Sequence, residues 1–216
     1  FPKANFAYKI NSQSRISLNY RGKSQQPSIE QISPVADNTN PLIITVGNPN
    51  LKQEFNHNID FNANSYKVLK QSGFNLYGGL SITSNAIVTN QVTNTNGITT
   101  YSYVNSDGNY NVYSGLSFFR KFVKANFNLN YGLRYSASRY SNFVNGEKNQ
   151  TDNYNPSLNI GFNKGKEKKY DINYWADIGY NISKSSINTD LQTKYWTQSH
   201  HLEATVYLPK KFEINS

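Results

Sequence analysis

The chain has no cysteine and no methionine, and only 37% of its residues are apolar. Each shortage narrows the choice of protein class. Without cysteine there is no disulfide framework and no zinc site built on thiolates, a composition that fits an oxidising compartment. No run of about 18 uncharged apolar residues occurs, so a membrane-spanning helix is excluded. Spanning by strands stays open, because a barrel strand meets lipid with every second side chain only and looks hydrophilic on average. From the missing methionine and a start at Phe1-Pro2-Lys3 that has no apolar leader core, a processed or partial chain is expected. Acidic residues are scarce as well, 13 against 22 Lys and Arg, for a net charge of +9.

What the sequence does have is aromatic residues set among asparagine and serine. Seventeen Tyr and twelve Phe lie in a polar background. Disordered segments are poor in aromatics, so the asparagine richness does not signal disorder. Aromatic and branched residues interleaved with small polar ones favour strands. The alternation is most regular at Ala125, Phe127, Leu129, Tyr131, Leu133 and Tyr135, set against Asn126, Asn128, Asn130, Gly132 and Arg134. It recurs at Phe6, Tyr8 and Ile10; at Ile16, Leu18 and Tyr20; and at Phe55, Ile59, Phe61 and Ala63. Further runs are Phe74 to Ile82, Tyr110 to Phe118, Tyr154 to Phe162, Tyr170 to Ile182 and Leu202 to Leu208. Helical spacing fits none of them. Many of these runs exceed the five or six residues usual for soluble strands. About ten tilted residues is the length that crosses a bilayer. The spacing therefore predicts an all-β, antiparallel up-and-down transmembrane barrel.

The connections fall into two alternating kinds. Short basic ones lie at Lys67–Ser72, Arg120–Lys124, Lys164–Lys169 and Pro209–Phe212. Longer ones, or ones rich in Asn and Gly, lie at 23–53, 90–100, 144–152 and 184–194. Since short turns face the periplasm and long loops face outside, the predicted strands are 4–10, 15–22, 54–66, 73–88, 101–119, 124–142, 153–163, 169–183 and 195–208, with another from 212. The positive charge then collects in the periplasmic turns, including Lys210 and Lys211. A nucleic-acid partner is not expected, because no recognition signature accompanies the charge. On the apolar face Phe74, Phe118, Phe162 and Tyr170 fall beside the short turns, and Tyr20, Tyr110, Tyr135, Tyr154, Tyr180 and Trp196 towards the long loops, as interfacial girdles do. Trp175 has the opposite parity and points inward.

One segment is more specific. After the outward strand ending Asn19-Tyr20-Arg21-Gly22, a loop carries Gln26, Pro27, Gln31 and Pro34 and closes with Gly47-Asn48-Pro49-Asn50-Leu51-Lys52-Gln53-Glu54. Gly47 is expected to supply a positive φ and Asn48-Pro49 a turn. Leu51 is expected to tuck beneath the loop, with Glu54 ending it at the start of the next strand. This stretch resembles the barrel of TonB-dependent receptors, in which a GNPxLKPE sequence precedes an inward strand; Gln53 stands where that pattern has proline. The whole chain most resembles the Asn-rich outer-membrane β-barrel proteins of the Bacteroidetes type. The resemblance implies a barrel of about twenty-two strands, of which this single segment, residues 1–216, supplies roughly ten. It also implies location in the outer membrane, contact with lipid and lipopolysaccharide, and a plug domain that has no counterpart here. TonB and a surface lipoprotein would be further partners.

No phosphate-binding glycine loop or nucleophile elbow is present, so no enzyme and no cofactor are expected. Asp171 and Asp177, six positions apart on a strand, are roughly 20 Å apart, too far for paired acid–base work. His201 and Glu203 share the inward face, a spacing usable by a metal but more simply a polar lining. The inward charges Lys9, Arg15, Arg21, Asp60, Arg134, Asp171, Asp177 and Glu203 either contact a ligand or plug, or pair with one another. The loop residues Gln26, Pro27, Gln31, Pro34, Asn48, Pro49 and Leu51 are the expected ligand-facing part. Energised uptake is the leading functional expectation, with a structural or assembly barrel of an envelope complex, or a soluble adhesin, as alternatives.

Overall fold

A computed structural model describes residues 1–190, 192–209 and 212–215, with Asn38 described by its backbone alone. Ten strands follow one another in a single antiparallel sheet: β1 (Lys3–Asn11), β2 (Ser14–Gln25), β5 (Glu54–Lys67), β6 (Ser72–Ser84), β9 (Asn109–Phe122), β10 (Phe127–Val144), β11 (Glu147–Lys166), β12 (Tyr170–Ser185), β13 (Thr193–Tyr207) and β14 (Glu213–Asn215). Four shorter strands, β3 (Asp37–Asn40), β4 (Ile43–Thr45), β7 (Ala86–Thr93) and β8 (Thr99–Ser106), form an annex at the loop end. The sheet is not closed. Its first and last strands are edges.

Register places the alternation on two faces. Leu76, Leu116, Leu133, Leu158 and Ile178 are successive cross-strand partners on one face. Asn62, Tyr77, Gly115, Arg134, Ser157, Gly179 and Thr197 make the corresponding row on the other. Among the described residues no second protein layer covers the apolar face: Leu133 is 59% exposed and Leu202 60%. In water such a face would be a severe liability. In a bilayer it is the wall, with Phe74 against Phe118 and Phe127 against Phe162 forming its aromatic lower rim. Among the few buried side chains, Ala63 and Ala137 are small residues within the long strands, and the others lie at the annex. Val88, Ala86 and Ser106 are buried in the annex, and Ser141 on β10 lies beside it.

Nine long strands and the short β14 correspond to the ten predicted ones, with β9 beginning at Asn109 rather than 101 and β11 at Glu147 rather than 153; three connections and two strand interiors differ. The stretch 144–152 is no loop: β10 and β11 continue to a two-residue turn at Asn145 and Gly146, with φ of 51° and 86°. Two positive φ values are what a tight hairpin with the native strand twist requires. Residues 90–100 are largely the hairpin of β7 and β8, turning through Asn94–Ile98. The predicted strand 73–88 breaks at Asn85 (φ 52°), where β6 gives way to β7, and 101–119 breaks at Asp107-Gly108. Residues 23–53 hold α1 (Ile29–Ile32), capped by Ser28 and Gln31, followed by the β3–β4 hairpin. Period-two reading marks strands but not kinks, so it joined β6 to β7. In the turn at the tip of β3, the Thr39 hydroxyl (2.7 Å) and amide (3.1 Å) both donate to Asp37 and hold its carboxyl below the usual range. Lys210 and Lys211 lie outside the described residues.

Candidate functional site

The polar face explains the asparagine content. Its amides bond one another across strands: Asn62 donates to Asn75 (2.9 Å), Asn128 to Asn163 (3.0 Å), and Asn163 to Asn173. A carboxamide carries both donors and an acceptor, so a ladder of them lines a wall with few charges. Between these ladders the wall carries flat aromatics. Tyr113 lies over Gly79, Tyr77 over Gly115, Phe119 over Gly73 and Trp175 over Gly161. A Cβ at Gly115 would stand 2.3 Å from the Tyr77 ring. Each ring thus covers backbone that a neighbouring glycine leaves bare. Tyr66 stacks on Phe119 at 5.6 Å in the same lining.

At mid-height these features bound a cleft of about 340 Å³. Tyr77 and Tyr113 form one side, with ring centroids 6.4 Å apart. Arg134 and Asp177 form the other as an ion pair, and Asn155 and Asn181 complete the lining. The Arg134 Nε also donates to Ser157 (3.3 Å), which fixes the guanidinium against the wall. Both members of the pair are more than 40% exposed, so the pair adds little stability and leaves donors and acceptors facing the cleft. Aromatic faces opposite an Arg–carboxylate pair and amides make a site for a polar molecule with an apolar side.

The structure brings together some of the predicted inward residues and separates others. Arg134 and Asp177 meet. Asp60 accepts from Tyr113 Oη (2.8 Å) and so belongs to the cleft's edge. Asp171 accepts from Asn163 and Asn173, both at 3.1 Å, nearer the basic turns. Glu203 bonds His201 at 2.9 Å, and no cluster of three metal-ligating residues exists among the described residues. Arg15 and Arg21 stand apart on β2. Lys9 is opposite Arg15 and Lys3 opposite Arg21. No carboxylate pairs with these four among the described residues. Lys23 continues the basic band on the same face.

The entrance segment is a lock rather than a free loop. Gly47 does not have the expected positive φ; the left-handed glycines among the described residues are Gly97, Gly108 and Gly146. It is glycine for space, because a Cβ there would lie 2.4 Å from the Ser33 carbonyl oxygen. Its amide donates to that oxygen (2.8 Å), and the Asn48 amide donates to Gln31 O (2.7 Å). The Asn48 side chain donates to Tyr103 O (2.9 Å) and accepts from Asn50 N (3.0 Å), which forms the turn with Pro49. Leu51 is half-buried. Glu54 accepts from Ile87 N at 2.6 Å, so it ends the loop by binding the annex. Gln26 donates to Gln53 (3.1 Å). Pro27 precedes the Ser28 cap of α1, and Pro34 follows its end. Sequence reasoning missed the Tyr77–Tyr113 wall; paired Gly78-Gly79 and Gly115 opposite tyrosines were its signal, but only the register reveals it.

An antiparallel up-and-down sheet with one bare apolar face, aromatic rims and a wet polar face defines an outer-membrane β-barrel protein. The chain matches the model of the outer membrane protein beta-barrel family over residues 1–206 and belongs to that family. No curated protein and no solved structure matches it.

Proposed function

We propose that this chain is part of the wall of an outer-membrane receptor of the TonB-dependent, Bacteroidetes type, which takes up a ligand with energy supplied from the inner membrane. The observation that carries the reading is the inward cleft between Tyr77–Tyr113 and Arg134–Asp177. A barrel that served only as a scaffold would have no need of a recessed site with exposed bonding groups on its inner wall. The locked Gly47–Glu54 segment supports it by fixing the entrance. In this reading the ten strands join others in a barrel of about twenty-two, the size that holds a plug. The basic band of Lys3, Lys9, Arg15 and Arg21 faces an acidic stretch of plug or ligand, since like charges opposite one another are otherwise unfavourable. The plug, TonB and a surface lipoprotein are the partners; nucleic acid is not, and no catalytic step is assigned.

The reading frame of the complete gene tests this first: it should encode a plug upstream. The full barrel with its plug deleted should conduct KCl in planar bilayers, and Arg134→Ala should change that conductance. A gene without a plug and a barrel silent in both forms would rule out energised uptake. One observation favours the second reading, a structural subunit of an envelope complex. On β13, Gln198 and His200 interrupt the lipid-facing row, with His200 bonded to Tyr174 Oη at 2.8 Å. A partner protein covers such a spot better than lipid does. Crosslinking from position 198 in native membranes should then capture a protein.

A further inference from the structure

On the outward wall, the row Gly78, Ser114, Tyr135 and Pro156, continued by Tyr180 and Trp196, has short or rigid side chains where its neighbours have leucines. Pro156 has no amide proton, and the ladder between β11 and β12 skips Asn155 and Pro156. The result is a groove of about 600 Å³ on the lipid face, lined by Ser114, Leu116, Leu133, Pro156, Ile178 and Trp196 among others. That volume lies within the ~300–1,000 Å³ range of small-molecule sites.

Cations stand directly above it. Lys194 is one outward step from Trp196 on β13, opposite Ile182. Lys184 follows Ile182 on the same face of β12, so the two lysines are roughly 7 Å apart along the strand direction and roughly 5 Å apart across it. Next in the row come Asp152 and Arg139, bonded through both nitrogens at 2.7 and 2.8 Å, with Arg139 over the Tyr110 ring at 5.7 Å. Arg139 takes both oxygens of Asp152, which faces Lys184 across the strands but makes no ion pair with it, and both lysines are exposed with no bonded partner among the described residues. In the loop-side half of the sheet, the outward cations of the described strands are Arg139, Lys148, Lys184 and Lys194. All stand on β10–β13. Lys148 is engaged with the Asp107 carbonyl (2.8 Å).

We propose that this wall binds one phosphorylated, acylated glycolipid of the extracellular leaflet. Its phosphate would sit on Lys184 and Lys194, its sugar against the Tyr180–Trp196 pair, and an acyl chain in the groove below. Those two rings meet at 4.7 Å between the charge and the groove, at headgroup height. Lysine is a compact charge that suits phosphate, and basic side chains beside spanning segments select anionic headgroups. The basic turns mark the opposite, periplasmic end, so the occupant belongs to the outer leaflet.

The test is native mass spectrometry of the full-length barrel in detergent, with bisphosphorylated lipid A as probe. One lipid A should remain bound, and the double variant Lys184→Gln/Lys194→Gln should weaken retention at least tenfold. Ser114→Phe, which fills the groove from a surface position, should weaken it independently. Heat-modifiable gel mobility checks that each variant is folded, and Lys194→Gln alone, at an exposed position, replaces the double variant if that one is not. Equal retention by folded variants, or equal retention of dephosphorylated lipid A, overturns the proposal. So does equal retention of phosphatidylglycerol, which would make the site one for any anionic lipid. Displacement of lipid A by millimolar inorganic phosphate alone would make it a free-phosphate site and overturns it too.

Discussion

Single residues in this chain act chiefly through close approach. Gly47 is the sharpest case, since its missing side chain is what lets the Ser33 backbone approach the segment between β4 and β5. Gly47→Ala should release α1 and the β3–β4 hairpin, costing about 1–3 kcal/mol as steric substitutions at tight backbone contacts do. Limited proteolysis of intact cells should then cut between residues 26 and 46 faster than in the parent. Glu54 works through a bond: Glu54→Ala strips the Ile87 amide of its acceptor, a loss of about 1–3 kcal/mol where water does not replace it. Hydrogen exchange should show Ile87 gaining rate while the amides of β10 stay protected. Arg134→Ala, by contrast, breaks an exposed pair and should change stability by less than about 1 kcal/mol. Equilibrium unfolding in urea should show a midpoint close to that of the parent.

At the scale of elements, period-two alternation revealed nearly every long strand, because a wall between lipid and water imposes one face on each. It revealed connections poorly. Residues 144–152 look like loop because Asn, Gly, Lys and Gln crowd there, yet once β10 and β11 leave the membrane they face water on both sides and need no apolar row to remain paired. The site was only partly visible for a related reason. Arg134 and Asp177 can be read as inward from parity, but their meeting depends on the registers of β10 with β11 and of β11 with β12, which parity does not set. Gly47 was noticed for a motif and misread as a φ requirement, since sequence does not show which backbone passes nearby. The hairpin tip gives a direct check. Gly146→Ala places a side chain at φ 86° and should destabilise the turn by about 1 kcal/mol or more. The loss should be confined to exchange protection near 140–150, leaving the lower strands unchanged.

For the molecule as a whole, the bare apolar face fixes where it resides. The protein should fractionate with outer membranes and migrate faster on gels before boiling than after, and extraction by buffer without detergent would contradict the architecture. The unpaired edges of the sheet have their own requirement, because each unsatisfied backbone group in hydrocarbon costs several kcal/mol; in the membrane they must be met either by further strands or by each other. The unequal heights of the strands also matter. β10 and β11 run for 18 and 20 residues, so β10 is about 60 Å of strand, and even tilted by ~40° it stands far above an apolar band of ~25 Å. β7 runs parallel to β10 with Gln91 level with Val144, so the Asn94–Ile98 turn stands beyond even the Asn145-Gly146 tip; an antibody or a phage tail would meet that turn first on a living cell, and a short epitope spliced there would report from outside without disturbing the interior.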